Sequence, residues 1–219
     1  MEGHVVDSGG LIHVNDSPPA PADQGTMLVQ FLKLVLSFAP WIAFLVLARH
    51  SLLQVKIALI VAFALAVGMG VARLSRGVML WTGLAFFAIA TLMVVGLNDL
   101  WTLRYMGVLA NGTLAAAVWL TLAVGRPFTL DYAREHTDPS LWNELGFLRV
   151  NTVISAVWGI ALSLGAALAF AKLPGGMLAA LLPAAAYDVL SYAILIGAAL
   201  FTTWYPKYAR EKARARSAA

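Results

Sequence analysis

Six long apolar segments, separated by polar stretches, dominate the chain. They cover about residues 27–47, 53–72, 77–97, 104–124, 150–171 and 177–204. Each segment is long enough to cross a bilayer core about 30 Å thick, which needs roughly 20 apolar residues in a helix. Runs such as IALIVAFALAVGMGVA are apolar on every side, whereas a strand of a membrane barrel alternates at period two. The pattern predicts an all-α, polytopic transmembrane helix bundle with about six spanning helices.

The polar stretches predict how these helices are arranged. Most connections are as short as RHS or RLSR, so consecutive helices should pack as antiparallel neighbours. Residues 125–149, GRPFTLDYAREHTDPSLWNELGFLR, form the one long connection. Residues 1–26 are acidic and proline-rich and predict a disordered cytoplasmic tail, while residues 205–219 predict a basic cytoplasmic tail. The transmembrane domain therefore spans residues 27–204.

Composition and charge restrict the classes of function. The chain of 219 residues is 61% hydrophobic and carries a formal charge of +4, and it has no cysteine, which excludes disulfides and thiol nucleophiles. In a membrane chain, basic residues mostly report orientation, so nucleic-acid binding is not predicted. Both termini in the cytoplasm is the favoured topology, because it places ten basic residues inside: Arg73, Arg76, Arg126, Arg134, Arg149, Lys207, Arg210, Lys212, Arg214 and Arg216. Outside would lie Arg49, Lys56, Arg104 and Lys172.

The long connection at 125–149 predicts two short interfacial helices. Thr129 is suited to cap the first, Asp138 followed by Pro139 to begin the second, and Gly146 to end it. The connection is either a membrane-surface connector or a docking surface for a partner. The candidate docking residues are Arg126, Pro127, Tyr132, Arg134 and Trp142.

Several residues in and around this loop resemble a known family. The chain has a QFL start to the first helix, Arg126-Pro127 directly after the fourth, and Pro139 and Trp142 before the fifth. Asn151 and Trp158 follow. Over about residues 27–172 this arrangement resembles the intracellular septation protein A family of bacterial inner-membrane proteins. The resemblance implies a role in envelope maintenance and division through protein partners, with no established chemistry.

Asp188 is the most unusual residue of the apolar segments. It lies eleven residues into the segment 177–204, which predicts a position near the middle of the bilayer, where an unpaired carboxylate is costly. Tyr187, Ser191 and Tyr192 are nearby donors, and Pro183 is expected to kink the helix. Two interpretations remain open: an ion or proton site, or a neutral side chain that fixes helix packing.

Other polar and small residues predict packing. Asn111 should hydrogen-bond between helices, and Asp99 should pair with Arg104. Asn151 and Thr152 should open the fifth helix, where they either cap it or meet the neighbours of Asn111. Small residues recur every four positions, which lets helices approach closely within the bundle or in a homo-oligomer. These ladders are Ala58, Ala62, Ala66 and Gly70; Thr113, Ala117, Thr121 and Gly125; and Ala161, Gly165 and Ala169.

The candidate chemistry is sparse. No nucleophile triad, phosphate loop or cofactor box can be assembled, so no catalytic residue, cofactor or metal site is predicted; an enzyme would have to use Arg126, Arg134, Glu135, His136 and Asp138 on lipid headgroups. The basic end of the chain is expected to contact anionic lipid headgroups through Lys207, Arg210, Lys212, Arg214 and Arg216. The leading hypothesis is a structural or interaction protein of the bacterial inner membrane. The alternative is a small transporter or channel that uses Asp188.

Overall fold

The computed structural model describes residues 38–48, 51–72, 77–175 and 177–217, and these residues form helices and turns without a strand among them. The prediction of an all-α fold is confirmed for this part of the chain. The acidic stretch 1–26 lies outside the described residues, as do the side chains of His136 and Arg216. The α-helices are α1 (Ala39–Leu47), α2 (Leu52–Val71), α3 (Val78–Thr91), α4 (Leu100–Arg104), α5 (Met106–Ala123), α6 (Thr129–Ala133), α7 (Leu145–Ala171) and α8 (Ala184–Ser217).

Five of the described helices are long and apolar enough to cross a membrane. They are α2, α5, α7, α8 as far as Lys212, and α3 together with the π-helix Leu92–Gly96 that continues it. The first predicted segment is described only in part, as the nine residues of α1. The structure therefore supports a membrane-embedded helical bundle with five described candidate spans, and the sixth span stays a prediction.

Consecutive long helices pack against each other in chain order, as predicted. The contacts run from α1 to α2, then to α3, α5, α7 and α8. One end of the bundle holds the starts of α2, α5 and α8 and is called the turn end. The opposite end holds the starts of α3 and α7 and residues 125–149, and is called the loop end.

Two apolar clusters hold the bundle together. Near the turn end, Phe87 is completely buried and packs with Phe86 and Trp41, with ring centroids 5.3 Å and 4.7 Å away. Near the loop end, Val118 is completely buried in a cluster that also contains Phe128 of the long connection. The ladder residues Ala58, Ala62 and Ala66 are fully buried, so this small-residue face packs within the chain.

Two helix boundaries correct the sequence-based predictions. The fifth spanning helix begins at Leu145 rather than at residue 150, because the helix extends beyond the N-terminal end of the apolar run. The last helix runs over Ala184–Ser217 rather than 177–204, so residues 205–217 belong to it and are not a separate tail. Its late start follows from Pro183, which disfavours helical backbone at the preceding residue. Its late end follows from the strong helix formers Ala, Arg, Lys and Glu.

Candidate functional site

The loop at 125–149 begins with a defined helix stop. Gly125 adopts a left-handed φ of 70° directly after α5. Its N–H donates to the carbonyl of Leu122, and the N–H of Arg126 donates to the carbonyl of Thr121 at 2.9 Å. This is the Schellman pattern, in which a glycine lets the last carbonyls of a helix find donors. The chain thereby turns back toward the bundle.

The first half of the loop is packed into the bundle. Phe128 and Leu130 are 4% and 3% exposed, so their side chains are part of the core. The Thr129 hydroxyl donates to the carbonyl of Asn151 at 3.0 Å and lies 3.0 Å from the hydroxyl of Ser155, which is fully buried. Thr129 was predicted to cap this helix, and that prediction is wrong: Phe128 is the cap residue and Thr129 joins α6 to α7.

The same short helix also contacts the start of α3. Gly77 precedes α3 with a φ of 99°, and a Cβ placed on it would lie 2.3 Å from Oδ2 of Asp131. The carboxylate therefore occupies the space that any other residue at position 77 would need. A negative charge at this place also suits the positive end of the α3 dipole.

The second half of the loop folds on itself around Trp142. Its indole N–H donates to the carbonyl of Thr137 at 2.9 Å, and the guanidinium of Arg134 lies 5.4 Å from its ring centroid. Asp138 caps the turn Pro139–Leu141 by accepting from the Ser140 N–H at 2.8 Å, as predicted. Hydrogen bonds from the Ser140 hydroxyl and N–H lower the pKa of Asp138.

The second predicted interfacial helix is only partly present. The helical turn ends at Leu141, and Gly146 lies within α7 instead of stopping a helix. Gly146 fails as a stop because a glycine ends a helix only where the backbone turns left-handed, and its φ is not positive. The outward side of the loop carries Leu141 and Leu145, which are 47% and 83% exposed.

The five predicted docking residues separate into two groups. Arg126 is exposed, whereas Pro127 is buried beside Phe128, and Tyr132 packs on the same core cluster. Arg134 and Trp142 are half-buried against each other. Most of these residues therefore hold the loop in its shape. The exposed Leu141 and Leu145 suit the headgroup region by their sequence but were not among the predicted docking residues.

Asp188 does not lie in the middle of a span. Because α8 begins at Ala184, Asp188 is four residues, or about 6 Å, from the first residue of the helix. It forms an ion pair with Lys172, which follows α7, and the two side chains are 46% and 36% exposed. The expected mid-membrane position is wrong because the apolar run was counted from residue 177, whereas Pro183 delays the helix. Pro183 precedes the helix and cannot kink it.

The three residues predicted to accompany Asp188 differ in their bonding and exposure. The Ser191 hydroxyl donates to the carbonyl of Tyr187, one turn earlier. Tyr187 is 5% exposed and packed, while Tyr192 is 44% exposed. The contact described for the Asp188 carboxylate is the ion pair with Lys172.

One other expectation at the turn end, the Asp99–Arg104 pair, is corrected. Asp99 caps α4 by accepting from the Trp101 and Thr102 N–H groups, and Arg104 donates to the carbonyl of Pro174 at 2.6 Å. The predicted Asp99–Arg104 pair is replaced by these contacts, because a carboxylate directly before a helix is in reach of its free N–H groups. The Thr102 hydroxyl and N–H lower the pKa of Asp99.

The α5–α7 contact is close because α7 carries small residues where α5 carries larger ones. A Cβ on Gly159 would lie 2.9 Å from the Trp119 indole, and one on Gly165 would lie 2.8 Å from the Asn111 amide oxygen. Asn111 itself donates to the carbonyl of Gly107 within its own helix, so this hydrogen bond is not the predicted interhelical one.

Asn151 and Thr152 were expected to open the fifth helix, and that expectation is wrong. They lie in the second turn of α7 and donate to the carbonyls of Phe147 and Leu148, one turn earlier in the same helix. The helix starts before them, at Leu145, so its free N–H groups are out of their reach.

The basic residues near the C-terminus lie on the last turns of α8. Lys207, Arg210, Lys212 and Arg214 are exposed there. The contact between α7 and α8 uses Trp158, whose indole N–H donates to the Thr202 hydroxyl at 2.9 Å. No periodicity in the sequence could have paired these two residues, because they belong to different helices.

The fold and its polar contacts define the class of protein: this is a helical bundle suited to a membrane, and it has a folded loop at one end. Several of its helices have the length and apolar composition of membrane spans. No protein family, curated protein or solved structure matches this chain.

Proposed function

We propose that this protein is a multi-pass protein of the bacterial inner membrane that has an interaction role in envelope maintenance or septation, with both termini in the cytoplasm. The partner would bind the outward side of the loop at 125–149. The observation that carries the proposal is the docking of this loop through buried Phe128 and Leu130 and through the Thr129 hydroxyl. A connector that only spans a gap has no need of such contacts. The family resemblance in Arg126, Pro127 and Trp142 supports the envelope role.

The polar groups inside the spans support a packed interior. The hydroxyls of Thr82, Ser163 and Thr202 each donate to a carbonyl one turn earlier in their own helix. Side chains used in this way satisfy a local bond within their own helix. The alternative, a transporter, depended on a carboxylate at mid-membrane, and Asp188 instead pairs with Lys172.

The test is rescue of a strain that lacks the gene. Wild type, L141S/L145S and Asp188→Asn are expressed at equal membrane levels, and cell length and osmotic sensitivity are scored. A matched control is L97S/L100S at the turn end, whose leucines are 64% and 67% exposed. We expect the loop variant alone to fail. Failure of Asp188→Asn alone would replace the scaffold by the transporter, and equal rescue by all variants would contradict the docking role.

A further inference from the structure

Helix α8 is longer than a bilayer requires. Its 34 residues extend about 51 Å, against a hydrocarbon core of about 30 Å. Two contacts hold it along α7: Trp158 with Thr202, and Lys172 with Asp188. The intervals 158–172 and 188–202 are equally long, so the antiparallel register is constant between the two contacts. The direction of α8 relative to the bundle is therefore fixed over this stretch.

The ion pair and the aromatic residues mark two membrane boundaries on α8. A charged pair avoids hydrocarbon, so Lys172 and Asp188 mark the boundary at the turn end. About 30 Å further, or roughly 20 residues, the helix reaches Tyr208. There, Trp204 and Tyr208 stack with ring centroids 5.1 Å apart. Because tryptophan and tyrosine concentrate at membrane interfaces, this stack marks the second boundary.

A basic stripe begins at this second boundary. Lys207, Arg210 and Arg214 are spaced by three and four residues, which places them on one side of the helix, and all three are exposed. Pro206 lies inside α8 directly before the stripe and has no backbone N–H, so the orientation of the stripe is taken from the exposure of its three side chains and not from a helical angle carried across the proline. The only acid among residues 205–217 is Glu211. The stripe therefore presents concentrated positive charge away from the bundle.

We propose that the stripe Lys207–Arg210–Arg214 binds the anionic headgroups of the adjacent lipid leaflet. Lys207 lies between Tyr205 and Tyr208, so the stripe starts within the headgroup layer instead of beyond it. Its long stems can lie along the apolar surface while their charged ends meet phosphate. This depth favours lipid over an acidic soluble partner. The stripe is a different surface from the docking loop, so lipid binding by the stripe does not depend on the proposed function.

The test measures lipid selectivity of the full-length protein in reconstituted membranes. Spin-labelled phosphatidylglycerol and phosphatidylcholine report how strongly each lipid associates with the protein surface. We expect phosphatidylglycerol to associate with wild type about fivefold more strongly than phosphatidylcholine does. This factor corresponds to the contribution of about one basic group near an anionic leaflet. High salt should lower this preference, because exposed charges are screened. The K207Q/R210Q/R214Q variant should show almost no preference for phosphatidylglycerol.

The controls keep charge or remove it elsewhere. R210K/R214K keeps both charges and should retain the preference, while Glu211→Gln removes the acid and should retain or increase it. R126Q/R149Q removes two exposed cations of the loop end and should leave the preference in place. An unchanged preference in the triple glutamine variant, or a wild type without salt-sensitive preference, would overturn the proposal. Binding of an acidic protein or nucleic acid without lipid preference would also overturn it.

Discussion

The two ends of the bundle are held together by different kinds of contact. At the turn end, polar side chains join the helix ends: Lys172 pairs with Asp188, and Arg104 donates to the Pro174 carbonyl. At the loop end, buried apolar side chains such as Phe128 do this, with the Thr129 hydroxyl joining α6 to α7. These polar contacts link the connections at the turn end to the helices around them. The loop end uses 25 residues, and Phe128 packs them into the core of the bundle.

The largest expected effect comes from removing the core of the loop. Phe128→Ala should destabilise the protein by about 3 kcal/mol, because it leaves a cavity in a cluster that includes Val118. Thermal unfolding of the purified protein measures this, and limited proteolysis should show earlier cleavage within 125–149. Leu141→Ala, at an exposed position of the same loop, should change stability by less than about 0.5 kcal/mol. Equal effects would contradict the packing of the loop into the bundle core.

The second prediction concerns the contact between α6 and the start of α3. Gly77→Ala should cost about 2 kcal/mol, since the residue has a positive φ and its Cβ would meet Asp131. Gly125→Ala has the same backbone strain but open space around it, so it should cost less. Thermal unfolding compares the two variants. Adding Asp131→Ala to Gly77→Ala should restore part of the loss, and a purely additive double variant would show that the two positions do not interact.

The ion pair at the turn end should matter less. The half-exposed Lys172–Asp188 pair is expected to contribute on the order of 0.5 kcal/mol, so Asp188→Asn should lower the unfolding temperature only slightly. K172Q/D188N should be no less stable than Asp188→Asn alone, because the unpaired lysine is removed as well. A loss of several kcal/mol in the single variant would mean that the carboxylate is far more buried than the structure shows.

The smallest effect is a dependence on pH that both ends share. Asp99 and Asp138 cap short helices, and hydrogen bonds lower the pKa of each below the ordinary 3.8. A depressed pKa in the folded state stabilises the protein above the unfolded value, and this contribution is lost as the pH falls through the lowered pKa. Stability should therefore decrease below about pH 4. Asn at both positions keeps a cap but does not titrate, so D99N/D138N should show a flatter profile in unfolding measurements at pH 6 and pH 3.

Local signals in the sequence predicted the local structure. The apolar runs gave the class and the neighbouring order of the helices, and Asp138 before Pro139 correctly marked the start of a turn. The wrong boundaries have physical causes as well. Apolarity reports where an apolar run begins and ends, whereas the helix itself can continue beyond that run, as α7 does before residue 150 and α8 after Trp204.

Contacts between distant residues could not be predicted from the sequence. Three such contacts join separate elements: Lys172 with Asp188, Thr129 with Ser155, and Asp131 with Gly77. Pro183 could have corrected the depth of Asp188, because a proline disfavours helical backbone before it. That signal was present and was interpreted as a kink within a helix instead of as its start.

The most direct test is a cross-link between the loop and α7 in isolated membranes. The chain has no cysteine, so T129C/S155C places two thiols where the native hydroxyls lie 3.0 Å apart. We expect rapid disulfide formation with a mild oxidant, and little with the control T129C/V153C, whose second thiol is on the opposite side of α7. Equal cross-linking of both pairs, or of neither, would show that the loop is not held against α7 and would contradict the proposed docking surface.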